Sequence, residues 1–312
     1  MANEEVLPSR ASGHTHPEAA NHRRSAQSAL QDPNAATLGA SPHRSVNLAE
    51  PLKQLPIVKA TLPVLAALLA LLVPHGAAAN CQRPGALGTS RVLSVDPRTY
   101  PRVGTKSFPA SLPLADKEVV LTFDDGPSPP TTRKVLAALA RECVRATFFL
   151  IGRNAAAHPG VVKAIAAAGH TIGHHSWSHP DMSKIPADVA ERDIDRGMAA
   201  NDAVLGLSAA AAPATPFFRF PYFSSTPRLL DALQDRGIAV FGADLWASDW
   251  NDMTPEQELN LVMERLQNAR KGIILFHDTK GRTAAMMPSF LRWLRENDYR
   301  IVHIAPARPG HA

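Results

Sequence analysis

Asp124 and Asp125 stand side by side at the end of a β-rich run, VVLTF over 119–123, and open an Asp-Asp-Gly-Pro turn. Fifty residues on, His175 and His179 lie four apart in HSWSH, so that one turn can aim both imidazoles at a common point. Two imidazoles and one carboxylate make a three-ligand site for a divalent metal, Zn²⁺ first among them, with the fourth position left to water. Asp125 is expected to supply that carboxylate. Asp124 is then a second carboxylate beside the metal, placed to take a proton from the bound water. An arginine within reach keeps such a group ionised, and Arg219 is the candidate. A departing amine needs an acid, and an imidazole held protonated by a carboxylate supplies one. His277 and Asp249 are the candidates for that pair. Together the residues predict metal-assisted hydrolysis of an amide or ester.

Taken singly, each piece has a plainer explanation: a turn, a surface loop, a surface arginine, a core histidine. Their places along the chain argue jointly. From Glu118 onward, strand-like runs (VVLTF, ATFFLIG, HTIGHHS, FFRF, IAVFGAD, GIILFHD, YRIVHI) alternate with amphipathic helical ones over about 190 residues. Such alternation predicts an α/β architecture with parallel strands, and about seven units favour a closed or nearly closed barrel. Active sites of parallel barrels form at the carboxyl ends of strands. The acids, histidines and arginine named above all fall at strand exits. His174 is a further imidazole beside the metal set; neighbours in an extended segment face opposite ways, so a structural role is expected for it.

The motifs TFDDGP (122–127), HSWSH (175–179), RFPY (219–222), SDW (248–250) and ILFHD (274–278) occur in the order found in the NodB-homology polysaccharide deacetylases, carbohydrate esterase family 4. The chain resembles that family over about residues 116–306. The resemblance implies a distorted (β/α)₇-type barrel and the removal of N-acetyl, or sometimes O-acetyl, groups from a glycan such as a chitooligosaccharide or peptidoglycan. It implies Asp124 as general base, Asp125, His175 and His179 as metal ligands, Arg219 as tether of the base and His277 as general acid. It also implies that the Tyr222 backbone N–H holds the oxyanion and that Leu275 lines the acetyl-methyl pocket, with Trp250 beside the substrate. One piece departs: where the family usually has an Asp three residues before the Asp-Trp pair, this chain has Trp246, and the nearer acid is Asp244. Asp249 is the preferred partner of His277.

The remainder of the chain is less informative. Residues 1–55 are rich in Pro, Ser, Ala, Asn and His without apolar periodicity and read as a disordered tail. Residues 56–79 carry a basic flank, an apolar run over 60–73 and a small-residue stretch ending at Ala79, the anatomy of a secretory signal peptide, with a retained signal-anchor or a buried helix as alternatives. A signal of this kind normally stands at the N-terminus, so residues 1–55 are alternatively upstream of the true start, which then needs a non-AUG codon because no Met lies between Met1 and Met182. Residues 80–115, punctuated by Pro and Gly, are expected to form an ordered extension, and residues 307–312 a short tail.

Export places Cys81 and Cys143, the two cysteines, where a disulfide is permitted; the sequence leaves open a bridge or two buried thiols. The formal net charge is +5 and the pI about 9.4, but Lys and Arg are scattered with no basic stripe, so a nucleic-acid partner is not expected. The expected partner is an acetylated glycan, with membrane contact only through an uncleaved anchor. Oligomeric state is not readable. Three rival functions remain on the sequence. A 2-His-1-carboxylate iron oxygenase leaves Asp124 and His277 without a task. The others are a non-glycan amide hydrolase on the same barrel and a glycan-binding protein with a dead site.

Overall fold

The computed structural model describes residues 81–307, apart from residue 82, residues 208–212 and residue 214. The expected tail over 1–55, the signal segment over 56–79 and the last residues of the chain lie outside the described residues. Among those described, no helix is long and apolar enough to cross a membrane.

The elements run β1 (Thr89–Val95), β2 (Arg102–Val103), β3 (Glu118–Asp124), α1 (Pro129–Arg141), β4 (Thr147–Leu150), α2 (Gly152–Ala157), α3 (Pro159–Ala167), β5 (Thr171–His174), α4 (Ala187–Val204), β6 (Phe217–Phe218), α5 (Pro227–Asp235), β7 (Ala239–Phe241), β8 (Leu245–Trp246), α6 (Pro255–Ala269), β9 (Gly272–His277), α7 (Gly281–Glu296) and β10 (Arg300–Pro306). Every strand pair is parallel, and β8, β9, β3, β4, β5, β6 and β7 follow one another around the sheet. No ladder joins β7 to β8 among the described residues. This is the seven-stranded, distorted α/β barrel expected from the alternation.

Two features differ from the sequence reading. The extension over 80–115 contains strands: β1 pairs with β10 and β2 with β7. The apolar pattern hid β1 because Val92 faces solvent while Arg91, two residues before the inward Leu93, is committed to Glu118 by an ion pair of 2.7 Å. The sequence reading took YRIVHI as the seventh stave, but β8 holds that place and β10 lies outside the circuit. Besides β1, β10 meets the start of β3, at Glu118 and Val119, and the start of β5, where the Thr171 hydroxyl donates to the Ile304 carbonyl at 2.7 Å. It therefore lies across the amino-terminal end of the barrel, leaving the carboxyl end free for a site.

Strand alternation sets the two faces. In β3, Val119, Leu121 and Phe123 point outward into the main core, where Phe123 stacks between Phe148 and Phe276 at 5.0 and 5.6 Å under α1 and α7. Val120, Thr122 and Asp124 point inward. The helices have ordinary sequence signals. Thr254 caps α6 with a full capping box to Gln257 and Pro255 at N1, and Thr226 accepts from the Leu229 N–H to start α5. Inside α4, Gly197 lies against the Ser176 backbone so closely that any Cβ there would collide with it; the helix thereby packs directly on the loop that carries HSWSH.

Cys81 and Cys143 form a disulfide with Cα atoms 5.4 Å apart, tying the chain before β1 to the end of α1 across 62 residues. Closing a loop of that size stabilises a fold chiefly by restricting the unfolded chain. The double variant Cys81→Ser/Cys143→Ser is expected to lose about 2–4 kcal/mol of unfolding free energy, read as a lower denaturant midpoint, with a steeper slope because the uncrosslinked unfolded chain exposes more surface. An unchanged midpoint counts against that contribution.

Candidate active site and metal centre

The site is built where β3, β5, β6, β8 and β9 end. Asp124 closes β3 with its side chain inward, and Asp125 follows in the left-handed region, φ 72°, which turns its carboxylate toward the exit of β5. The Asn154 side-chain amide donates to the Asp125 carbonyl at 2.8 Å and holds that turn. His175 follows β5. Its Nδ1 lies 2.7 Å from the Arg219 carbonyl oxygen, which places the proton on Nδ1 and leaves the Nε2 lone pair free. That Nε2 is 3.5 Å from Asp125 Oδ1, and His179 Nε2 is 3.2 Å from the same oxygen.

One ligand atom from each of Asp125, His175 and His179 lies within 4.8 Å of the other two. Asp125 Oδ1 is buried and receives no hydrogen bond among the described residues. Burial opposes ionisation of Asp125, but His175 and His179 more than reverse that effect and hold its carboxyl well below the usual carboxylate range. Lone pairs converging in this way repel one another unless a cation sits between them. A hard carboxylate with two imidazoles is a donor set that suits a divalent ion of the zinc type. The loop presenting His179 is fixed by Asp193 of α4, which accepts from the Trp177 and Ser178 N–H groups and from the Ser178 hydroxyl at 2.9, 3.1 and 2.6 Å.

Beside this set lies Asp124, whose Oδ2 is 3.8 Å from His175 Nε2. Its other oxygen accepts from Arg219 at 2.8 Å. Arg219 is wholly buried. It spends its remaining donors on Thr122 Oγ1 (2.8 Å) and on the Phe241 and Gly242 carbonyls (3.2 and 2.8 Å), with its guanidinium over the Phe149 ring. Burial lowers its pKa, and the charge and hydrogen bond of Asp124 work against that.

On the opposite side His277 ends β9. Its Nδ1 is 2.7 Å from Asp249 Oδ1, and its backbone N–H donates to Asp249 Oδ2 at 2.6 Å. Burial pulls the imidazole down, but the Asp249 hydrogen bond and charge, with Asp125 and Asp124 behind, raise it to about 9. Its Nε2 is 3.8 Å from Asp125 Oδ2. Asp244 is not its partner. That carboxylate accepts from the Thr105 N–H and hydroxyl, the Ser111 hydroxyl and the Ile273 N–H at 2.7–2.9 Å, latching the amino-terminal extension to the barrel.

Aromatic rings flank the cluster. Tyr222, at φ 56° and 68% exposed, sets its ring edge-on to His179 at 4.6 Å. Trp250, 42% exposed, stands edge-on to His277 at 5.9 Å and to Trp246 at 5.8 Å. Leu275 is buried in β9 beside Trp246. His174 points away from the metal set. It lies 3.2 Å from the Asn201 amide and 3.1 Å from the Thr215 carbonyl, and burial lowers it to about 4. Asp124, Asp125, His175, His179, Arg219, Tyr222, Asp249, Trp250, Leu275 and His277 therefore gather where the strands end, whereas Asp244 stands at the start of β8 and β9.

The sequence reading passed over others. Thr122 was findable, since it stands two before Asp124 on the same strand face. Asp193, Thr283 and Glu258 lie on helices whose patterns show only ordinary amphipathic faces, and no local signal ties them to the site. Asp278, fully buried, contacts the Thr132 hydroxyl and closely faces Gly126; burial raises its carboxyl to about 7.

Comparison with known proteins places this geometry. The polysaccharide deacetylase family profile matches residues 112–241. A peptidoglycan-N-acetylglucosamine deacetylase of Bacillus cereus is 35% identical over 176 residues, 56% of this chain and 61% of that protein, so the chain spans less than two thirds of that relative. A chitooligosaccharide deacetylase of Sinorhizobium fredii is 32% identical over 182 residues, 58% of this chain and 77% of that one. Among solved structures, a peptidoglycan deacetylase of Bdellovibrio bacteriovorus superposes with a TM-score of 0.63 at 31% identity, covering 73% of this chain and 62% of its own. The chain belongs to the NodB-homology polysaccharide deacetylases, carbohydrate esterase family 4.

Proposed function

We propose that the protein hydrolyses the N-acetyl group of an acetylated glycan of the bacterial envelope, peptidoglycan or a chitin-type oligomer, with the aid of a divalent metal, Zn²⁺ being the preferred ion. The observation that carries this reading is the Asp125–His175–His179 cluster flanked by two differently tuned pairs, Asp124–Arg219 on one side and His277–Asp249 on the other. Relatives with the same motifs are named as deacetylases of those two glycans. The disulfide supports export, since such bonds persist in oxidising compartments.

In this reading Asp125, His175 and His179 hold the metal, which supplies Lewis acidity toward the acetyl carbonyl and a lowered pKa for water. Asp124 accepts the proton of the attacking water, and its bond to Arg219 holds its other oxygen toward the cluster. The Tyr222 N–H donates to the oxygen that becomes negative; donors of this kind are typically worth about 3–4 kcal/mol. Leu275 offers an apolar wall for the methyl group. His277 gives its proton to the departing amine. Exposed Tyr222 and Trp250 provide flat apolar faces on either side of the cluster, a surface suited to sugar rings.

Free acetate released from a panel of chitin oligomers, peptidoglycan and acetylxylan after metal loading tests the proposal. Release from a small amide alone, with none from any glycan, transfers the activity to a non-glycan amide hydrolase. Asp124→Asn is expected to abolish turnover while the metal content stays at the wild-type level; near-normal turnover removes Asp124 as base. His175→Ala is expected to lose the metal, and unchanged content by elemental analysis removes it from the ligand set.

Asp249→Asn addresses the acid. A group that must be protonated loses activity as pH rises through its pKa, and Asp249 is what raises His277. The variant is therefore expected to shift the alkaline limb of the kcat profile to lower pH and to lower kcat by about 10²-fold. An unmoved limb excludes His277 as the acid that Asp249 sustains.

A further inference from the structure

Behind His277 the structure continues inward through residues to which the reading above gives no task. Asp249 Oδ1 faces the His277 ring, and Oδ2 accepts the His277 N–H. Oδ2 is also 2.8 Å from Thr283 Oγ1, and the same Thr283 oxygen is 2.9 Å from Glu258 Oε1. Asp249, Thr283 and Glu258 are each without exposed surface. They come from three separate places, the segment after β8, α7 and α6. A glutamate on the inward face of an amphipathic helix costs desolvation, and here its second oxygen, Oε2, has no hydrogen-bond partner among the described residues.

A threonine hydroxyl has one proton to give. Two carboxylate oxygens at 2.8 and 2.9 Å from it cannot both accept that proton, so a second proton must lie in the chain. Asp249 already uses both oxygens toward His277, Oδ2 accepting its N–H and Oδ1 facing Nδ1, so the second proton belongs on the Glu258 side. No hydrogen-bonded cation stands against Glu258, whose buried carboxyl also feels the Asp249 charge. Burial first and that charge second raise Glu258 to about 7, in keeping with a proton on this residue. The order of donation is then fixed: Glu258 donates to Thr283, and Thr283 donates to Asp249 Oδ2.

We propose that Glu258, as a neutral buried acid, is a positioning residue for the general acid: through Thr283 it locks the Asp249 carboxylate so that Oδ1 stays aimed at His277 Nδ1. This rests on the role given to His277 above. With Oδ2 held by two donors, the His277 N–H and the Thr283 hydroxyl, the carboxylate cannot rotate about its own axis, and the imidazole keeps one orientation. Without the Glu258 donor, nothing fixes the Thr283 hydroxyl rotor toward Asp249, and one of the two donors on Oδ2 is loosened.

The conservative variant separates this from a merely structural role. Glu258→Gln keeps a neutral donor at the same place and is expected to retain kcat within about twofold. Glu258→Leu and Thr283→Val are each expected to lower kcat about tenfold, the low end for partners one shell out from a reacting group, with KM unchanged. Their effects are expected to be strongly non-additive in the double variant, since they break one chain. A low-field proton NMR signal from His277 Nδ1–H, present in wild type and Glu258→Gln, is expected to broaden or vanish in both apolar variants.

The proposal is overturned if Glu258→Leu keeps both kcat and the low-field signal, if Glu258→Gln is as impaired as Glu258→Leu, or if the two apolar effects simply add. Should Glu258→Leu fail to fold, Thr283→Ser, which keeps the hydroxyl, against Thr283→Val makes the same comparison. If the wild-type protein releases no acetate from any glycan, the proposed function fails, and the His277 signal by itself still decides the role of Glu258.

Discussion

A guanidinium with no exposed surface sits inside the barrel and is held by Asp124, Thr122 and two carbonyls at the end of β7. Removing an arginine from water is expensive, and the cost is offset only when nearly every donor is used in good geometry. That requirement ties three elements together. Arg219 can meet its partners only if the end of β6 faces the end of β3 across the barrel interior, if Thr122 and Asp124 share the inward face of β3, and if β7 stops at Phe241 so that the Phe241 and Gly242 carbonyls turn toward the interior. The barrel is open between β7 and β8, and the arginine bridges from β6 to β3 across that side of the interior. The same contact leaves one oxygen of Asp124 for the metal cluster, and the Arg219 carbonyl sets the tautomer of His175. One buried side chain and its own backbone thus position both Asp124 and His175.

Charge is divided between the two flanks of the cluster. On the Arg219 side, a buried guanidinium stands 2.8 Å from Asp124. On the Asp249 side, a fixed anion favours the cation of His277, and burial sharpens both because neighbouring charges are poorly screened there. A carboxylate against a buried guanidinium and an imidazole against a buried carboxylate therefore flank one cluster, the division of charge that the proposed hydrolysis would use.

The loops that carry these groups are unusually constrained. Asp125, Ser176, His179, Tyr222 and Ser248 all have positive φ, between 56° and 72°, a region that side-chain-bearing residues enter at a cost of about 1–3 kcal/mol each. Such turns persist when their surroundings over-determine them. Asp193 pins the His179 loop, Asn154 pins Asp125, and Gly197 lets α4 approach the backbone of Ser176. The site is thus backed by helix faces as much as by strand ends, and the amino-terminal extension, latched by Asp244, adds a further support.

Much of this was legible in the chain itself. Alternating strand and helix signals determined a parallel α/β barrel because period-2 and period-3.6 burial leave distinct marks, and the acids, histidines and arginine at strand exits marked which side chains gather at its carboxyl end. The local signals failed where burial was not apolar. In β1, Arg91 faces inward through its bond to Glu118, and in α6, Glu258 sits on a buried face that reads as helix and nothing more. The sequence allowed Cys81 and Cys143 to be bonded or free, and allowed Asp244 or Asp249 to serve His277. Only the tertiary structure decided these, because each depends on distances between residues far apart in the chain, which no spacing along it encodes.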